Sequence, residues 1–248
     1  MIRVTRRATI ALGGLAALQA LQLACGSTTG RRLMLETRIR ASALHFATAL
    51  GYQISLDRAV IAIAELRYLQ DPASDAVYAD DSVAGAARLL GPAVAHAHPG
   101  HEGAVALGEM LRPQSVDLAE GELMLDVGPA FSGAVGTAKV GFGDGWCIWL
   151  EGRATRDGAT HAFRARAGAG ELMSDHAAPE IYDCPFAGEL LADGVVTLTM
   201  HVDRWLDDVD LALVPHGGDL DPVVPGTHDA FVTAVRDPST YSFDFTPG

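Results

Sequence analysis

The stretch Val195-Val196-Thr197-Leu198-Thr199-Met200-His201-Val202-Asp203 decides the fold class. Val196, Leu198, Met200 and Val202 fall on one side of an extended chain, and Val195, Thr197, Thr199, His201 and Asp203 on the other. Strand side chains alternate faces with a period of two, so the stretch reads as a strand with one dry face and one wet face. The same pattern recurs on both sides of it. Ala159 to Ala167 sets His161, Phe163 and Ala165 against Thr160, Ala162, Arg164 and Arg166. Leu123, Leu125 and Val127 alternate with Met124 and Asp126, and Tyr241, Phe243 and Phe245 with Ser242 and Asp244, as a closing strand. Val135 to Phe142 and Trp146 to Leu150 are more uniformly apolar strands. Ala59 to Leu69 admits two readings: Val60-Ile61-Ala62-Ile63 suits a buried strand, whereas Glu65 to Leu69 permits a helix. We read it as a strand. One short helix has start and stop signals, with Thr227 as its cap, His228, Phe231 and Val235 on it, and Asp237-Pro238 as its stop. Short strands parted by turn residues, in a chain with 27 glycines and 12 prolines, predict an all-β fold. The expected form is an antiparallel β-sandwich with few short helices, as a single domain over residues 34–248.

The other end of the chain carries an address. Thr5-Arg6-Arg7-Ala8-Thr9-Ile10 precedes an apolar stretch that ends in Leu21-Gln22-Leu23-Ala24-Cys25-Gly26. A basic start followed by an apolar run is the form of a secretory signal. The paired arginines resemble a twin-arginine export signal, and Leu-Gln-Leu-Ala-Cys resembles a bacterial lipobox. That resemblance implies a signal peptide over residues 1–24, cleavage before Cys25, and lipidation of Cys25. The alternatives are an unlipidated secreted protein and an uncleaved span. The run from Ala8 to Ala24 has 17 residues, short of the roughly 20 a spanning helix needs. Residues 25–33 then form the lipidated cysteine and a polar tether. Gly26, where lipoproteins kept in the inner membrane often carry aspartate, favours the outer membrane, facing the periplasm or the exterior.

Residues 1–24 hold Arg3, Arg6 and Arg7 and no acid, so the remainder has 15 basic against 31 acidic side chains, a formal charge of −16. Such a surface repels nucleic acid and anionic lipid headgroups and attracts cations. With Cys25 lipidated, Cys147 and Cys184 are left as a pair in an oxidising compartment, where a disulfide between them is expected. The alternative is two separate buried thiols.

Candidate chemistry gathers at Ala95-His96-Ala97-His98-Pro99-Gly100-His101-Glu102. On an extended chain His96 and His98 point to one side, and Pro99-Gly100 is a turn signal that folds His101 back toward them. Three neutral imidazoles suit zinc or copper, with a fourth position for a thioether, another histidine or water. Met110, His45, His161 and His201 are candidates for it, and Glu102 is the nearest acid able to accept a second ring N–H. His-Ala-His-Pro-Gly-His also resembles the His-x-His-x-Asp-His motif of metallo-β-lactamase-type hydrolases, but Gly100 stands where that family has its metal-binding aspartate. Gly-x-Ser-x-Gly, a P-loop and His-Glu-x-x-His are absent from the sequence, so the common catalytic templates do not apply. The acids from Asp203 to Asp210, with Asp219 and Asp221, lack the spacing of a helix–loop–helix calcium site. They read instead as a solvated acidic edge, with Trp205 packed on the sandwich.

Gly51-Tyr52-Gln53-Ile54 and Ile63-Ala64-Glu65-Leu66-Arg67-Tyr68-Leu69 resemble the first half of the MbnP-like domain. Trp149-Leu150-Glu151-Gly152, with Ala162-Phe163-Arg164 and Gly168, is similar to a later strand of that domain. Its members are methanobactin-associated copper-binding lipoproteins of the bacterial periplasm. The resemblance implies an all-β fold, a lipid anchor and copper held by histidines. The expectation is therefore an envelope lipoprotein that binds copper or zinc for acquisition, buffering or delivery. A lipid-tethered β-sandwich docking an envelope protein partner is the second reading, and a metal-dependent hydrolase the third.

Overall fold

The computed structural model describes residues 30–70, 105–173, 178–215, 217–220, 224 and 226–248. Strands β1 (Arg32–Ala41), β2 (His45–Ala47) and β3 (Gln53–Gln70) come first. After them come β4 (Ala106–Met110), β5 (Gln114–Asp117), β6 (Leu123–Phe131) and β7 (Gly133–Phe142). β8 (Trp146–Arg156) and β9 (Ala159–Gly168) form a hairpin. Asp157 and Gly158 turn it with φ of 54° and 79°, the pair of positive values that matches the twist of the flanking strands. β10 (Glu180–Ala187), β11 (Glu189–Leu190), β12 (Gly194–Met200), β13 (Gly218–Asp219) and β14 (Tyr241–Pro247) complete the sheet. Two short helices, α1 (Val202–Trp205) and α2 (His228–Arg236), interrupt it. The fold is all-β with few helices, as expected, and Ala59 to Leu69 lies inside the 18-residue β3. Among the described residues no helix is long and apolar enough to cross a membrane.

The strand path returns on itself. The second half of β3 pairs with β7 along one edge (Tyr68↔Ala138) and with β4 along the other (Leu66↔Met110). From β7 the path runs through β10, β14, β12, β1 and β6, and β6 meets β4 at Gly108↔Ala130. Closing a sheet removes its edges. The junction needs its glycine, because a Cβ on Gly108 would lie 3.0 Å from both the Ala130 Cβ and the Tyr68 ring. β8, β9 and β13 extend from the first half of β3, whose other edge carries β2 and β5. The sheet is mixed, where an antiparallel one was expected: β1–β12, β10–β14 and β9–β13 are parallel.

Buried side chains from every strand of this circuit meet in one core, including Leu33, Leu35, Ile39, Leu66, Val140, Leu198 and Phe243. Each such burial is worth about 1.5–3 kcal/mol. Tyr68 is fully enclosed, edge-on to Phe186 and Phe243 at ring distances of 5.6 and 6.0 Å. Its hydroxyl is satisfied by Thr37 Oγ1 at 2.8 Å, which offsets the cost of burying a polar group. That burial holds the Tyr68 phenol well above its ordinary pKa of 10.0.

The two ends of the circuit differ. At one end, the turn Phe131-Ser132-Gly133 receives the start of the described chain: Arg31 N–H donates to Ser132 Oγ, and Ser132 N–H to Arg31 O, each at 2.8 Å. Arg32 and Leu33, read from the sequence as the end of a tether, belong to β1. At the opposite end α1 and α2 close the core through Trp205, Phe231 and Val235.

The deciding segment keeps its alternation only to Met200. Val196, Leu198 and Met200 are buried, but Val202 and Asp203 turn into α1, which carries Val202 and Trp205 into the core. β6 departs from its alternation too. A bulge opposite Thr37 and Arg38 leaves Leu125 unpaired and moves the inward face from Leu123 and Leu125 to Ala130, so Val127 faces outward and is half-exposed. An extra residue in one strand reverses every side chain beyond it.

Candidate functional site

His96, His98, His101 and Glu102 lie outside the described residues, as do the signal segment and Cys25. The stems of the histidine segment are described. Gln70 ends β3 and Val105 precedes β4, and the Gln70 N–H donates to Val105 O at 2.8 Å. Leu69 faces Ala106 across the ladder, and Gln70 faces Val135, two residues from Gly133. The segment therefore leaves and rejoins the sheet at one point, on the end where Arg31 meets Ser132.

The candidates for a fourth ligand do not converge there. Met110 is a core residue, 2 % exposed, and its sulfur accepts from Gln114 Nε2 at 3.8 Å. His45 is exposed on β2, beside the start of β3. His161 faces Ala154 across the β8–β9 hairpin. His201 sits at the helix-closed end, its Nε2 3.1 Å from Ser242 Oγ. Burial, then Arg204, holds its imidazole below the ordinary value. Among the described residues no three His, Cys, Asp or Glu side chains gather to hold a metal ion.

The expected Cys147–Cys184 disulfide is not formed: both are buried free thiols. Cys147 Sγ donates to Gly143 O at 2.8 Å, and Cys184 Sγ points toward Ile181 O at 3.7 Å. Burial pushes their pKa values up to about 11 and about 12, which leaves almost no thiolate at neutral pH. Native protein should resist a thiol reagent, whereas denaturant without reductant should release two reactive thiols. Release of none would restore the bridge.

The acidic tract is bound up with the fold instead of forming a solvated edge. Asp203 accepts from Ser42 Oγ, and Asp207 Oδ1 accepts from Ala49 N–H at 2.9 Å. Asp210 Oδ1 accepts from the Tyr52 hydroxyl at 2.7 Å, and that hydroxyl in turn accepts from Ala212 N–H at 2.7 Å. These carboxylates fasten α1 and the chain after it to residues 42–52. Asp219 pairs with Arg166 at 2.5 Å. Arg166 also lies over the rings of Trp146 and Trp149, at 4.5 and 5.3 Å, on the outer face of β8 and β9.

One polar cluster escaped the sequence reading. Lys139 is the only lysine, beside 17 arginines, and its side chain is 7 % exposed. It bridges Glu65 and Glu180, themselves 17 % and 15 % exposed. Glu65 on β3 and Glu180 on β10 both face Gly141 of β7. A Cβ on Gly141 would stand 2.5 Å from Glu65 Cγ, so glycine clears the slot that the ammonium of Lys139, two residues earlier, enters from β7. The ammonium is 2.9 Å from Glu180 Oε1 and also contacts Glu65 Oε1. The Tyr182 hydroxyl donates to the other Glu180 oxygen, and Arg67 donates to Glu65 Oε2 at 3.0 Å. Burial raises the Glu180 pKa, but Tyr182 and Lys139 outweigh it and hold the carboxyl below its ordinary value. The cluster spans three neighbouring strands as a fixed electrostatic clamp. Composition held the one signal for it, a lone lysine in an arginine-rich chain.

Comparison with known protein families, with curated proteins and with solved structures finds no match to this chain.

Proposed function

We propose that this protein is a lipid-anchored envelope protein, of the outer membrane, that binds copper or zinc through His96, His98 and His101. The observation that carries the reading is three imidazoles within six residues, a donor set suited to these metals. The stems support it: both ends of the segment are held together by the Gln70–Val105 hydrogen bond, which lowers the entropy cost of bringing its donors together. The fourth position is filled by a thioether, a further histidine or water. The surplus of acid over base raises the local cation concentration, and ligand exchange at the imidazoles passes the ion on, as acquisition, buffering or delivery requires.

Protein purified without a histidine tag should retain one copper or zinc ion through dialysis. The triple variant His96→Ala, His98→Ala, His101→Ala should lose tight binding while keeping its fold, and unchanged affinity would reject the site. A second reading, docking of an envelope protein partner, draws on the outer face of β8 and β9. There the half-exposed Trp146 stacks with Arg166, and tryptophan and arginine are the residue types that dominate interface energetics. Protein that takes up no metal on reconstitution would favour it.

A further inference from the structure

We infer that the end of the strand circuit around Phe131-Ser132-Gly133 rests on the lipid surface itself, an inference that depends on the lipid anchor proposed at Cys25. The described chain begins on this end, where Gly30 packs on Ser132 and Arg31 exchanges hydrogen bonds with it. Five residue steps separate Cys25 from Gly30. An extended chain covers at most about 3.6 Å per residue, so an acyl-cysteine holds this end within about 18 Å of the headgroups.

The same end carries the apolar surface a bilayer interface would take up. Met34, Val105, Phe131 and Leu191 are large hydrophobic residues, each between 43 % and 64 % exposed. They share one neighbourhood through the pairings. Phe131 faces Arg32, Met34 faces Pro129, Leu190 faces Gly133, and Val105 bonds to Gln70, which faces Val135. Exposed apolar residues gathered in one place mark an interaction surface, whereas scattered ones do not.

Charge favours the same occupant. Beyond residue 24 the chain carries −16, which repels anionic headgroups. On this end Arg31 and Arg32 are exposed, Glu189 is exposed, and Asp193 is engaged by Met34 N–H at 2.9 Å. Among the described residues the charges of this end therefore nearly balance, with two arginines able to meet phosphates.

The test uses the full acylated protein in vesicles of phosphatidylethanolamine and phosphatidylglycerol doped with nitroxide-labelled lipid. An environment-sensitive fluorophore is placed by Phe131→Cys or, as control, by Leu213→Cys in the turn beside Tyr52 at the far end of β3. The buried thiols of Cys147 and Cys184 leave the introduced cysteine as the reactive one. The probe at 131 should shift to the blue and be quenched by the nitroxide, and the probe at 213 should do neither. Arg31→Ser, Arg32→Ser and Leu191→Ser together should abolish the quenching at 131. Equal emission and quenching at both positions on acylated protein would overturn the contact and leave the anchor standing. A mass showing no lipid on Cys25 would overturn both.

Discussion

Replacing Lys139 with methionine should cost the folded protein about 3–5 kcal/mol, the usual penalty for removing one partner of a buried ion pair. In a domain of this size that lowers the melting temperature by roughly 10 °C. The cost arises from what remains. Glu65 and Glu180 would still face each other across Gly141, mostly buried, with no cation between them. Arginine should recover only part of the loss, because its planar fork does not fit a slot cut for a compact ammonium. A surface pair sets the scale: Arg153–Asp57 is more than half exposed on both sides, and Arg153→Met should cost less than about 1 kcal/mol. Equal melting temperatures for the two methionine variants would show that the cluster does not clamp β3, β7 and β10.

The same cluster has a pH signature. Glu180 is held below its ordinary value of 4.5 by Tyr182 and Lys139, against burial, which pulls the other way. In the unfolded chain this carboxylate protonates first, so the stability it adds is fully present above 4.5 and is lost as the pH falls through the lower folded value. Denaturant midpoints of the parent protein should therefore fall on acidification below 4.5, and Glu180→Gln should flatten that slope. A midpoint with the same slope in both would mean that Glu180 is not held in its charged form.

The strands read most plainly in sequence were those with one wet face. Val196, Leu198 and Met200 against Thr197 and Thr199, or Tyr241 and Phe243 against Ser242, are two-sided environments written at period two. What stayed hidden depends on pairing between distant segments. The bulge that turns Val127 outward is one extra residue opposite Thr37 and Arg38, and no residue type announces it. The parallel partnership of β1 with β12 and the junction at Gly108 join positions far apart in the chain. Cysteine arithmetic failed for the same reason, since two leftover thiols bond only if the fold brings their Cβ atoms to about 4 Å. Lys139 sits among small and apolar residues from Val135 to Phe142, and nothing in that stretch names its partners. Its face carries a buried cation, tolerated there because β3 and β10 each supply a carboxylate.

Trp205→Ala should cost about 3–5 kcal/mol, as removal of a fully buried large aromatic does, and the damage should stay at the helix-closed end. The indole is wholly buried, 5.9 Å from the Tyr241 ring, and its Nε1–H donates to Thr240 Oγ1 at 2.9 Å. Thr240 Oγ1 donates onward to Asp237 O at 2.8 Å, and the Tyr241 hydroxyl to Val235 O at 2.7 Å. One side chain thus ties α1, the end of α2 and the first residue of β14 together. Trp205→Phe keeps most of the apolar volume and loses the donor, so it should cost only about 1–2 kcal/mol. The difference between the two variants separates packing from hydrogen bonding. Hydrogen exchange locates the effect: amides of α2 and of Tyr241 and Ser242 should exchange faster in Trp205→Ala, while those of Leu33 and Ala130 should change only with global stability. Because Arg31, Ser132 and the Gln70–Val105 stems lie at the other end, metal uptake by the folded variant should equal that of the parent. Loss of uptake at full folding would show that the two ends are coupled, and the division of the molecule into a Ser132 end and a helix-closed end that act independently would have to be abandoned.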